Sequence, residues 1–184
     1  QSVAVLEGLL DGGVEFGGLR IDQDRRWELI RALARAGASS APERIGRELE
    51  KDPTDTGRKQ AIASEASLPS AETKAVWRAR MEADEGPDRL ADAQLREAMH
   101  SHHQLGQEEL SRLAVDWYFA TLPTFAATRE EDLVETFSAS MFPALCDEKV
   151  VQRIDALLAT ETALPATVTA SVSRSGTSST GFES

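Results

Sequence analysis

The chain is a succession of short apolar stripes at helical spacing, each closed within a few turns by glycine or proline. Val3 to Leu10 is a first apolar segment, stopped by Gly12 and Gly13. Trp27, Ile30, Leu33 and Ala34 recur on one helical face behind Asp22, a residue suited to an N-cap. Gly37 follows where a helix C-terminus takes a left-handed residue. SAPE, Ser40 to Glu43, has the spacing of a capping box with Pro42 in the first turn, and the helix it opens buries Ile45 and Leu49. Pro53 ends that helix at Asp52, and Thr54 caps the next, whose weak stripe is Ala61, Ile62, Ala66 and Leu68. After Pro69 come a helix carrying Trp77 and Met81, the turn DEGPD, and a helix marked by Leu90, Leu95 and Met99. Leu110, Leu113, Ala114 and Trp117 form the clearest stripe, which LPTF interrupts. Leu133, Val134, Phe137 and Met141 make another, closed by Pro143, and Val150, Val151, Ile154, Leu157 and Leu158 make the last.

This pattern predicts eight or nine helices of about 10–18 residues joined by short loops. Period-2 alternation is not sustained anywhere before residue 160, so the expected class is all-α. Short amphipathic helices with tight turns suit either a globular bundle or stacked helix pairs, and the irregular spacing does not by itself establish a repeat. Residues 1–163 read as one helical domain. Residues 164–184, rich in Ser and Thr, read as a linker-like tail in which ATVTASV has the composition of a short strand.

The chain has 184 residues, 41% hydrophobic and 28% charged, enough for one domain with a sizeable core. Its net charge of -11 repels phosphate backbones, and no basic amphipathic face is present, so neither nucleic acid nor a membrane is an expected partner. Cys146 is the single cysteine, which excludes an intrachain disulfide and fits a reducing, cytoplasmic compartment. No apolar run approaches the roughly 20 residues that span a bilayer. The sequence opens on Gln1 without a signal-peptide pattern, which reads as a piece of a longer chain or a processed one.

REAMHSHHQLGQEEL holds all three histidines, His100, His102 and His103. A helix places His100 and His103 on one face, and Glu97 is a candidate third ligand for zinc. The HExxH spacing is absent and Gly106 marks a turn, so the favoured reading is a solvated helix end and loop, with a metal site as the alternative. Cys146, near Pro143, reads as a buried structural thiol, because its position offers no histidine base or oxyanion hole. GxSxG, P-loop and GxGxxG motifs are absent, and the carboxylate pairs in REEDL, QEEL and MEADE fall on polar helix faces. Trp27, Trp77 and Trp117 read as anchors between helices, with a peptide-binding face as the alternative. Arg25, Arg26, Arg58 and Lys74 are cations that either pair with nearby acids or meet a substrate carboxylate.

Several segments, in order, resemble the bacterial aminopeptidase N family. GGLRIDQDRRW matches a G-L-x-x-D-x-D-x-R-W pattern through Gly18, Leu19, Asp22, Asp24, Arg26 and Trp27. ELEKDPTDTG matches E-L-x-x-D-x-T-x-x-G through Glu48, Leu49, Asp52, Thr54 and Gly57. LPSAETKAVW is similar through Pro69, Lys74 and Trp77, and GQEELSRLAVDWYFATLP and MFPAL resemble later segments. The likeness covers about residues 5 to 160, and in it HSHHQLG corresponds to a variable inter-helix loop rather than a metal site.

The resemblance implies a HEAT- or armadillo-like solenoid of antiparallel helix pairs, the C-terminal domain that closes over the catalytic domain of a zinc aminopeptidase and helps enclose a chamber for peptides. The family's HExxH zinc site and G-x-M-E-N motif lie upstream and are not in this sequence, so no catalytic, cofactor-binding or metal residue carries over. The implied zinc belongs to the catalytic domain of the same polypeptide. The family's last Arg- and Glu-rich helix has no match in 164–184. Two other readings are a free-standing helical-repeat adaptor and a small metalloenzyme built on the three histidines.

Overall fold

The computed structural model describes residues 2–13, 17–18, 20–145 and 147–159, with the backbone alone at 2 and 158. Cys146, Leu19 and the 164–184 tail lie outside the described residues, as does the side chain of Leu158. Among the described residues there are ten helices and no strand: α1 Ser2–Leu10, α2 Gln23–Arg35, α3 Ala41–Lys51, α4 Asp55–Ala66, α5 Ala71–Glu82, α6 Asp92–His102, α7 Glu108–Arg112, α8 Val115–Thr128, α9 Glu131–Ser140 and α10 Glu148–Ala159. The class is all-α. Among the described residues no helix is long and apolar enough to cross a membrane.

Several helix ends follow their local chemistry. Asp22 accepts a bond from the Arg25 amide at 3.0 Å, and Thr54 one from the Gly57 amide at 3.1 Å. Gly37 closes α2 at φ +68°, with Gly37 N–H bonded to Ala34 and Ala38 N–H to Leu33, the paired bonds of a Schellman end.

Three ends differ from the sequence expectation. Ser40 does not close a capping box, because its hydroxyl donates instead to Glu7 at 2.6 Å and ties α1 to α3. The stripe from Leu110 to Trp117 is not one helix: α7 stops at Arg112, Leu113 turns outward and is 61% exposed, and α8 starts at Val115. Pro123 lies inside α8 rather than ending it. Its ring removes the bond to the Phe119 carbonyl, yet Leu122 and Phe125 are buried on either side of it, and that burial carries the helix through.

The helices form two layers. In one, α2, α4, α6 and α9 each pack on the next. In the other, α3 lies against α2 and α4, α5 against α4 and α6, and α8 against α9. The apolar interior divides at α4. Leu10, Trp27, Ile30, Leu33, Ile45 and Ala61 form one cluster, and a larger one runs from Ala66 through Met81, Met99, Tyr118 and Phe137 to Leu157. Tyr118 stacks on Phe137 at 5.6 Å between ring centroids, and its hydroxyl donates to the Ser138 carbonyl at 3.1 Å.

Candidate functional site

The helices α2, α4, α6 and α9 end together on one rim, and polar side chains tie those ends to one another. Each end presents backbone carbonyls that lack a partner within the helix, and the ends are the negative poles of the helix dipoles. Lys74, on α5, is buried and donates from Nζ to the Ala66 carbonyl at 2.7 Å and to the His102 carbonyl, joining the ends of α4 and α6. Gln107 donates from Nε2 to the Ser67 carbonyl at 3.0 Å and to the Arg35 carbonyl at 3.4 Å, joining α4 to α2. His103 bonds through Nε2 to the Met141 carbonyl at 3.2 Å, just past α9, and through Nδ1 to Ser111 Oγ at 2.9 Å. The loop HSHHQLG is therefore a strap across the rim.

That geometry corrects two sequence expectations. The histidines do not sit at a solvated helix end: His102 is 1% exposed and His103 is half-buried, and only His100 faces solvent. Lys74 pairs with carbonyls, not with an acid. The reason is the same for both, since a cation and two imidazoles at helix C-termini are satisfied by backbone acceptors that sequence does not display.

Three of the four ring nitrogens of His102 and His103 are engaged within the protein. A bond to a carbonyl requires Nε2–H on both His102 and His103, and Nδ1 of His103 then accepts from Ser111. Nδ1 of His102 lacks a hydrogen-bond partner, but among the described residues no group of three His, Cys, Asp or Glu is placed to hold an ion. Glu97 is half-buried on α6, where its charge acts on Arg31.

Burial fixes the protonation of this cluster. It pushes His102 down to about 2, helped by the positive charges of His103 and Lys74, and pushes His103 down to about 4. Above the usual histidine value of 6.5 the folded and unfolded chains both carry neutral imidazoles. Below it only the unfolded chain takes up these protons, so acid favours unfolding. Stability is expected to fall by about 2 kcal/mol per histidine between pH 7 and pH 5. Urea midpoints measured across that range check it. His103→Gln is expected to flatten the slope by about half, and an unchanged slope would contradict the buried placement.

A second polar node joins α2 to the turn between α3 and α4. Arg26 donates from Nε and Nη2 to the two oxygens of Glu48 at 2.8 and 2.7 Å, and Gln23 adds a third bond at 3.0 Å. Glu48 is 2% exposed, and the Arg26 guanidinium leads in holding its carboxyl at about 2, below the usual value of 4.5. Trp27 is 1% exposed and donates its indole N–H to Asp52 Oδ2 at 2.9 Å, while the Thr54 hydroxyl donates to Asp52 Oδ1 at 2.6 Å. Gly57 completes the node, because the Asp52 carbonyl occupies the space a side chain would take. Glu48→Gln keeps the shape but removes the charge from a buried pair, so a loss of about 3 kcal/mol is expected in thermal or urea unfolding at pH 7. The contribution is present above pH 4.5 and disappears as pH falls toward 2, so the wild-type and variant curves should converge in acid.

The remaining sequence candidates separate. Trp77 is a buried anchor, while Trp117 is half-buried and donates its indole N–H to Glu82. Arg25 bonds the Arg20 carbonyl at 2.7 Å on the surface, and Arg58 is exposed. Sequence reasoning missed Gln107 and Ser111. Their one nearby signal is Gly106, which marks a turn but says nothing of the strap beyond it.

Arg26, Trp27, Glu48, Asp52, Thr54 and Gly57 of the second node, and Lys74 of the first, are also positions of the patterns in the sequence resemblance. Over 161 residues the chain is 29% identical to aminopeptidase N of Streptomyces lividans, a similarity that takes in 86% of this chain and 18% of that protein. The chain thus spans less than a fifth of that relative's length. No family model matches it.

Proposed function

We propose that this chain is the non-catalytic C-terminal domain of a zinc-dependent aminopeptidase N, which closes the peptide chamber and restricts what enters it. The observation that carries this reading is the similarity to aminopeptidase N over 86% of the chain. Two features support it. The pattern residues Arg26, Glu48, Trp27, Asp52 and Lys74 serve as stitches between elements, which suits a wall better than an active site. The alternation of α1/α2, α3/α4, α5/α6 and α8/α9, with the second member of each pair in one continuous row, suits a HEAT- or armadillo-like solenoid.

On this reading residues 1–163 form the domain, 164–184 are an added tail, and the protein is cytoplasmic. Zinc supplies Lewis-acid chemistry in the catalytic domain of the same polypeptide, and no residue of this chain takes part in that step. A rigid helical wall contributes by excluding bulk and water, so chain ends enter while folded proteins do not.

The test compares the full-length polypeptide with the same polypeptide ending before this domain, on a dipeptide substrate and on a small folded protein with a free N-terminus. The expected result is retained zinc and dipeptide cleavage, with folded-protein cleavage rising at least about tenfold on truncation. An unchanged ratio of the two rates overturns the chamber-closing role. The second reading, a free-standing adaptor, draws on Leu105, 101% exposed, and Leu113, apolar side chains that a partner would have to cover.

A further inference from the structure

A groove of about 370 Å³ lies along α4 and α5. Pro42, Leu68, Val76 and Trp77 give it apolar walls, and Glu65 and Arg80 line it as opposite charges. Two cations of this chain, Arg26 and Arg44, close on carboxylates directly, on Glu48 and Asp11, each at 2.7 Å. Glu65 and Arg80 do not. Both are half-buried and the charge of Arg80 acts on Glu65, yet among the described residues neither has an ion pair. The Glu65 carboxylate accepts no hydrogen bond from those residues, and Nε of Arg80 is buried without a partner. The Arg80 guanidinium lies over the Trp77 ring, 4.4 Å from its centroid.

Partly buried charges without partners raise the free energy of the empty groove. A guanidinium held on an aromatic face keeps its N–H edge available to fork onto a carboxylate. An ammonium placed against Glu65 would relieve the other charge, and Glu72 on the rim adds to the attraction. The gap between the two charges is flanked by apolar surface, including Val76 at 54% exposure.

We propose that this groove binds a free α-amino acid as its zwitterion, the ammonium on Glu65, the carboxylate on Arg80, and an apolar side chain against Leu68, Val76 and Trp77. The inference stands apart from the aminopeptidase reading and fails or holds without it. The probe is L-leucine, titrated into the 184-residue chain and followed by amide chemical shifts. Saturable shifts centred on α4 and α5 are expected with a Kd on the order of 1 mM. Leucinamide, which lacks the carboxylate, and N-acetyl-leucine, which lacks the ammonium, are each expected to bind at least about tenfold more weakly. Glu65→Gln and Arg80→Met should each weaken leucine by a similar factor while leaving the spectrum dispersed. Absence of saturation by about 50 mM overturns the proposal, as does binding of either analogue as tightly as leucine. The analogue comparison uses the wild-type chain, so it decides the matter even where a variant fails to fold.

Discussion

Gly57→Ala is expected to destabilise the chain by about 3 kcal/mol or more, the reverse of what helix propensity alone gives. An ideal Cβ at this position stands 2.0 Å from the Asp52 carbonyl oxygen and 2.6 Å from Asp52 Cγ. Asp52 has no room to retreat, because its carboxylate holds the buried Trp27 indole and the Thr54 hydroxyl. Moving α4 instead breaks the cap between Thr54 and the Gly57 amide. Gly46 supplies the control. It lies inside α3 with nothing within 4 Å of its would-be Cβ, so Gly46→Ala is expected to stabilise by about 0.5–1 kcal/mol. Urea midpoints of the two variants should therefore move in opposite directions. Midpoints moving together would mean that the node around Asp52 is not built as described.

Lys74→Ala is expected to cost about 3–5 kcal/mol. The substitution leaves the Ala66 and His102 carbonyls without their donor and opens a cavity where the lysine's methylene stem was packed. Lys74→Met refills most of that space without restoring the donor, and also removes a buried charge, so its cost should be nearer about 2 kcal/mol. A second readout separates the roles of charge and shape. Burial pushes the Lys74 ammonium down to about 8 from 10.5. Between those values the unfolded chain holds the proton and the folded chain has released it. The folded state therefore gains on the unfolded one as pH rises, and wild-type stability should increase by about 3 kcal/mol across that window. The methionine variant should lack that rise.

What could be read from the sequence was what depends on near neighbours. Asp22, Thr54 and Gly37 act on residues within a few positions, and the structure places each as its local chemistry dictates. Trp27, Ile30, Leu33 and Ala34 were legible as a buried face because a helical period needs no partner to be seen. The misreadings share one cause. Pro123 stays helical, and Leu113 is turned out, because packing against other helices outweighs the local rule. His103 finds Met141 at a separation of 38 residues, and Gln107 finds Ser67 and Arg35 at 40 and 72. No spacing within the histidine segment announces such partners, so residues that resemble metal ligands or solvated loop side chains are in fact the rim's hydrogen-bond donors.

The proposed function holds that these residues are part of a larger zinc aminopeptidase whose chemistry lies outside them. An antibody raised against this chain, used on the source cells, tests it most directly through the length of the captured polypeptide and its aminopeptidase activity with and without chelator. The expected capture is a polypeptide several times longer than 184 residues, active, and silenced by removal of zinc. A captured polypeptide of this chain's own length, without activity, would contradict the claim.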